Sequence, residues 1–267
     1  MGGMLLEDLT WPLGKPIAGA RVRDLRECDH IITYPYSSHV FFRLPQLACH
    51  ISLTLPEPLA IHGLYYFLLP IIKYKYFAVF TRYKKLSTLT NNIAIIPLAR
   101  SQISPKVLGL PICQRKPVSI IASKKTKTTG HKLRHKLINQ LKLANIYIDI
   151  LGRGYQPYDQ DHEGLLPYKY SMVIENAKED NYFTEKIVNC LLCRTVPIYW
   201  GCSDISEYFD TSNWLIFDTV DEGIDLIKKA RFQTPDETLI EKNYRQALDY
   251  LDPDSLCANY ILNLSNG

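Results

Sequence analysis

The stretch VIENAKEDNYFTEK, Val173–Lys186, places Glu175, Asn176, Tyr182, Thr184, Glu185 and Lys186 around one polar turn between an apolar strand and an apolar helix. Such a set either caps the turn or holds a polar, charged ligand. Thr184 suits the N-cap, and Glu185 in the first helical turn suits the dipole. Lys186 fits capping badly, because a cation in the first turn opposes the dipole by some tenths of a kcal/mol. A bound phosphate reverses that sign, since the lysine and the free backbone N–H groups then converge on one anion. Glu185 in that setting can accept two hydrogen bonds from a ribose diol. Glu175 at the strand end serves equally as a loop cap, a lysine partner or a ligand contact.

A second cluster precedes it. Lys124, Lys125, Lys127, His131, Lys132 and Arg134 follow one strand and open a helix. By default this is a solvated loop, but its position favours a phosphate, and Arg134 is the side chain that a bidentate phosphate contact prefers. Nucleic acid is disfavoured because no aromatics interleave the run. Gly130-His131-Lys132 lacks the order of a P-loop, the G-x-G at 152–154 is too short for a dinucleotide fingerprint, and neither H-E-x-x-H nor G-x-S-x-G occurs.

The elements that must position these groups form a strand–helix alternation. Strands are expected at 31–34, over about six residues of 48–58 ending at Pro56, at the start of 77–89 before a short helix, and at 92–98, 118–123, 145–151, 168–176, 195–200 and 214–218; further helices are expected at 132–143, 185–193, 221–231, 236–250 and 254–263. This rhythm builds doubly wound parallel sheets, whose ligands sit beyond the carboxyl ends of the strands. The Pro- and Lys-containing joint at 104–117 divides the chain into residues 1–115 and 116–267, with the last helix able to pack back on the first domain.

At 267 residues, 46% hydrophobic and 22% charged, the chain can bury a full core, and its net charge of +4 suits an anionic small molecule if localised. The seven cysteines are odd in number and scattered, unlike a disulfide framework, and Cys190-Leu-Leu-Cys193 reads as a pair of core thiols in a helix. Reduced thiols point to the cytoplasm. No signal peptide or N-terminal anchor is visible, and the most apolar window, 63–80, is broken by Pro70, Lys73 and Lys75 and reads as buried core elements. No transmembrane segment is expected; peripheral membrane contact stays open, as does the oligomeric state.

Tyr168–Gly201 resembles the signature of the α-1,3-fucosyltransferases, glycosyltransferase family 10: Y-K-[FY], F-E-N, Y-[VIF]-T-E-K, V-P-[IV] and G, with Ile174 in place of the Phe before Glu175-Asn176. IDILGR (148–153) and WLIFDTVDEGIDLIKK (214–229) are similar to further family segments, so the resemblance covers about 118–235 and is weak before 115. It implies the GT-B glycosyltransferase fold, an α/β architecture of two Rossmann-like domains facing a cleft, with an acceptor-side N-terminal domain and a nucleotide-sugar C-terminal domain. It implies inverting transfer of fucose from GDP-fucose to a saccharide acceptor in α-1,3-type linkage, with no bound cofactor and usually no essential metal. Arg134 and Lys186 match the diphosphate contacts and Glu185 the ribose ligand. Tyr182 and Asn176 line the same pocket, and Glu175 and Thr184 belong to the motif on the donor side. The general base comes from the N-terminal domain just after a strand, where Glu57, set between Pro56 and Pro58, is the best positional candidate, ahead of Glu27 and Asp29. A different nucleotide sugar, or a donor-binding module without catalysis, are the competing readings. Without an anchor the chain resembles the soluble bacterial or viral kind.

Overall fold

A computed structural model describes residues 3–10, 15–35, 47–84, 86, 92–110 and 115–265. The chain forms two compact units, Met1–Leu98 with Asp252–Gly267, and Ala99–Leu251. Cys113 lies outside the described residues, as do parts of the expected segments 77–89 and 104–117.

The first unit holds a parallel sheet of β1 (His30–Thr33), β2 (His50–Leu55), β3 (Val79–Thr81) and β4 (Ile93–Ile95), in sequential order. No reversal of strand order occurs among its described residues. Ile51, Leu53 and Leu55 of β2 pack on one face against Tyr66, Leu69 and Ile72 of helix α1 (Leu59–Ile72). On the other face Ala78, Phe80 and Ala94 meet Cys257 and Ile261 of the helix Pro253–Ser265. The apolar window 63–80, expected to be buried core, is therefore core only in part. α1 is apolar all round and buries one stripe, while Leu64, Phe67 and Ile71 face solvent.

The second unit is a five-stranded parallel sheet, β5 (Lys116–Ile121), β6 (Asp149–Leu151), β7 (Tyr168–Ile174), β8 (Val196–Trp200) and β9 (Leu215–Ile216), ordered β6-β5-β7-β8-β9. Five α-helices accompany it among the described residues: α2 (Pro105–Leu108), α3 (Thr129–Leu143), α4 (Glu185–Leu192), α5 (Val220–Ala230) and α6 (Glu237–Leu248). α3 and α5 bury Leu137, Ile138, Leu141, Ile224 and Ile227 on one face; α4 buries Ile187 and Leu191 on the other. β7 is central and buried at six of its seven positions. Pro197 is tolerated inside β8 because the ladder to β9 starts only at Ile198.

The boundary expected near residue 115 lies at Leu98/Ala99 instead. Ala99, Ile103 and Val107 join the core beneath α4, and Asn189 Oδ1 accepts from the Ser101 hydroxyl (2.8 Å) and the Gln102 amide (3.1 Å). The strand expected from 145 starts at Asp149, because Asn145, at φ 54°, closes α3: its N–H donates to Lys142 O and the Ile146 N–H to Leu141 O. Arg194 closes α4 in the same way. The segment 214–218 supplies only two strand residues.

Candidate active site

The sheet order reverses between β5 and β7, the switch point where open α/β sheets bind ligands. β5 leads through the Lys-rich loop into α3, and β7 leads through 175–184 into α4. Both suspected clusters thus lie beyond the carboxyl ends of adjacent strands.

Glu175 is fully buried and organises the turn. Its Oε1 accepts from the Thr184 N–H (3.0 Å) and its Oε2 from the Thr184 hydroxyl (2.7 Å). The Lys186 ammonium stands 3.5 Å from Oε2. It also donates to Thr184 Oγ1 (2.8 Å) and Glu185 Oε1 (3.2 Å). Burial raises the Glu175 carboxyl, with the Lys186 charge working against it. Burial by itself lowers Lys186, but Glu175 and Glu185 outweigh it and hold the ammonium above the ordinary lysine value. Lys186 is therefore no unexplained cation at a helix N-terminus. It is held by two carboxylates and keeps 29% of its side chain exposed. Thr184 is the N-cap as expected, its Oγ1 accepting from the Lys186 N–H at 3.4 Å.

Arg134, only 5% exposed, reaches the same strand end and donates through one terminal nitrogen to Ile174 O. Its Nε is buried without a hydrogen-bond partner among the described residues. Burial lowers its pKa, while Glu175 and Glu185 raise it. One turn earlier, His131 completes a capping box with Thr128. The His131 N–H donates to Thr128 Oγ1 (3.2 Å), and the Thr128 N–H to His131 Nδ1 (3.3 Å). Burial, then the charges of Arg134, Lys125 and Lys186, push His131 below its ordinary pKa. Lys124, Lys125 and Lys127 are exposed.

The other predicted residues divide. Asn176 is half-buried, and its carbonyl accepts from the Gly130 N–H (3.0 Å). Glu185 remains 35% exposed beside Lys186. Tyr182 has no exposed surface, so it packs behind the turn rather than lining it. Asn181, at φ 54°, straps the loop: its N–H donates to Asp204 Oδ1 (2.6 Å), and its side-chain oxygen accepts from the Tyr208 hydroxyl. Glu57 belongs to the other unit. It is half-buried past the end of β2, its carbonyl accepting from the Tyr66 hydroxyl (3.0 Å). Cys190 and Cys193 are free, buried thiols, Cys193 pushed up to about 12 by burial.

Sequence reasoning gave two glycines no packing role. A Cβ on Gly130 would lie 1.7 Å from Glu175 O, and one on Gly201 2.6 Å from Glu175 Cγ. Both are needed for close approach. The available signal at Gly130 was a poor helix former in a helix's first turn.

Two parallel α/β units, one with a polar, cation-bearing switch point, form the architecture of the GT-B fold. Solved structures share this fold: an α1,3-fucosyltransferase with GDP (TM-score 0.51, 16% identity, 84% of this chain and 68% of that one) and Alr3699/HepE of Anabaena with UDP and glucose (TM-score 0.56, 10% identity, 82% and 72%). Residues 113–238 match the family model of glycosyltransferase family 10 (fucosyltransferase), C-terminal part. The alpha-(1,3)-fucosyltransferase FucT of Helicobacter pylori is 32% identical over 102 residues, which are 37% of this chain and 21% of that protein. The chain thus spans about a fifth of the length of that curated relative. No helix among the described residues is long and apolar enough to cross a membrane.

Proposed function

We propose that the chain is an inverting glycosyltransferase that moves fucose from GDP-fucose to a saccharide hydroxyl. The observation that carries this reading is the meeting of Arg134, with its unpartnered buried Nε, and Lys186 at the switch point of a family 10 domain. Two cations beside two helix N-termini suit a diphosphate. They would stabilise the charge that develops on the leaving phosphate as the bond from the anomeric carbon breaks. Glu185 takes the ribose, and Asn176 a neighbouring polar edge. Glu175, having no exposed surface, acts as a positioning residue that sets Thr184 and Lys186.

Glu57 is assigned the base. It removes the proton from the acceptor hydroxyl as that oxygen attacks the anomeric carbon on the face opposite the diphosphate. The described residues contain no cluster of metal-binding side chains, and the two cations serve the diphosphate in this scheme. Calorimetry with GDP, GDP-fucose, GDP-mannose and UDP-glucose tests the donor, followed by detection of transferred sugar on an oligosaccharide panel. Binding of GDP and GDP-fucose with transfer supports the proposal. Preference for a uridine donor, or GDP binding without any turnover, overturns it.

A further inference from the structure

Asn189 follows Glu185 by one turn of α4, and residues four apart share a helix face. Asn189 is buried, and its neighbours fix which way its amide points. The Gln102 N–H can only donate, so Oδ1 must face it (3.1 Å). Nδ2 therefore faces the other way and donates to Asp161 Oδ2 (3.2 Å). Asp161 opens a short 3-10 turn, Asp161–Gly164. That turn sits against the ends of β5 and β6. The Ser119 hydroxyl donates to Gly164 O (2.9 Å), and a Cβ on Gly164 would lie 2.9 Å from Ile121 Cδ1 and 3.6 Å from Leu151 Cδ1. A further carboxylate thus stands beside the switch point, next to the turn of α4 that follows Glu185.

Asp161 is half-buried, and among the described residues no lysine or arginine pairs with it. Burial first, and then the Glu185 charge, raise its carboxyl above the ordinary aspartate value. Asn189 and the Tyr158 hydroxyl take up only part of its accepting capacity, which is about four lone-pair sites. A ligand with two adjacent N–H donors would satisfy the rest. With the diphosphate at Arg134 and Lys186 and the ribose at Glu185, the base of the nucleotide comes next in line. We propose that Asp161 selects guanine in the donor, its carboxylate accepting the ring N1–H and the exocyclic 2-amine. This rests on the donor reading above and adds the residue that chooses the base. Adenine, cytosine and uracil each set an acceptor beside the donor on the corresponding edge, and a carboxylate repels that acceptor.

The test is calorimetry of the full chain with GDP, inosine diphosphate, which lacks the 2-amine, and xanthosine diphosphate, which carries an oxygen there. Wild type is expected to prefer GDP over inosine diphosphate by about tenfold or more, the worth of one hydrogen bond to a charged group. Asp161→Asn lowers GDP affinity by about 10- to 100-fold and erases that preference. It also raises affinity for xanthosine diphosphate, because the new amide N–H meets the 2-oxygen while its carbonyl keeps N1–H. An unfolded variant cannot show that gain, so the result stands even if the substitution lowers the melting temperature. Equal affinity of wild type for GDP and inosine diphosphate overturns the proposal. So does GDP binding whose ranking Asp161→Asn leaves unchanged, and in both cases the diphosphate reading survives. Absence of GDP binding by wild type overturns the donor reading and this one with it.

Discussion

Lys186 is expected to serve both stability and binding, and the two roles can be separated. At 3.5 Å from Glu175 Oε2, the attraction at an effective dielectric of about 20 is about 5 kcal/mol. Dehydration of both groups offsets part of it, which leaves an expected coupling of about 2–3 kcal/mol. Lys186→Met strands a carboxylate with no exposed surface, leaving it only its two Thr184 donors. That is expected to cost about 3–5 kcal/mol. Glu175→Gln keeps one acceptor but turns an amide toward the ammonium, costing about 2–3 kcal/mol. The double variant should therefore lose less than the sum of the singles by the coupling energy. Its GDP affinity should nevertheless remain down by about 10- to 100-fold, the worth of one charge-assisted hydrogen bond. Trp200 and Trp214 are both buried in this unit, so urea unfolding followed by tryptophan fluorescence in a Trp11→Phe background reads the stability cycle, and calorimetry reads GDP. Additive penalties would refute the ion pair as the element holding the turn. Recovery of GDP affinity in the double variant would refute a direct phosphate contact by Lys186.

Three further outcomes are expected. Gly130→Ala puts a methyl group 1.7 Å from Glu175 O and should cost about 3 kcal/mol or more; an unchanged urea midpoint by tryptophan fluorescence would contradict the packing. Glu57→Gln should lower sugar transfer by about 100-fold or more while GDP affinity is unchanged; transfer assays beside calorimetry distinguish this from a loop acid without a role. His30 and His62 are both held to about 4, by burial first and then by His50 and Arg82 respectively. Their unfolded value is about 6.5, so the unfolded chain takes up protons first, and first-unit stability should decline as pH falls from about 6.5 toward 4. Hydrogen exchange of β2 amides, corrected for intrinsic rates, should show this loss, and a gain of protection on acidification would contradict it.

The part of the site that is local in sequence could be read from it. β7 ends in an acid, Thr184 caps α4, and the cation two residues later is visibly against the dipole. What sequence spacing could not show is how the turn closes. Glu175 bonds Thr184 nine residues on, which converts the apparent misfit of Lys186 into an ion pair in the unliganded chain. α3 begins at Thr129, earlier than its apolar spacing predicts, because His131 takes the place usually filled by Glu or Gln in the capping box. The left-handed residues Asn145 and Arg194 stop their helices without the glycine that normally signals such an end. Strand order was beyond reach for another reason. Pairing β5 with both β6 and β7 is a non-local choice that no window of sequence contains. The exposed side of α1 was hidden for the same reason, since composition alone does not tell which stripe meets a sheet.

Charge balance at the switch point leads to one last expectation. Arg134 and Lys186 face Glu175 and Glu185, so the inner site carries two positive and two negative groups. Long-range attraction for an anion from this set nearly cancels, and a bound diphosphate is held by short N–H contacts instead. The exposed Lys124, Lys125 and Lys127 lie outside that balance and supply the field that a distant nucleotide feels. Salt should therefore act on arrival more than on departure. Between low and physiological ionic strength the association rate of GDP should fall several-fold as the Debye length shrinks to about 8 Å, with the dissociation rate nearly constant. Replacing the three loop lysines by glutamine should flatten the association rate's salt dependence and leave dissociation unchanged. Stopped-flow fluorescence with a labelled GDP measures both rates. A dissociation rate that climbs steeply with salt would show that long-range charge, not close hydrogen bonding, retains the nucleotide.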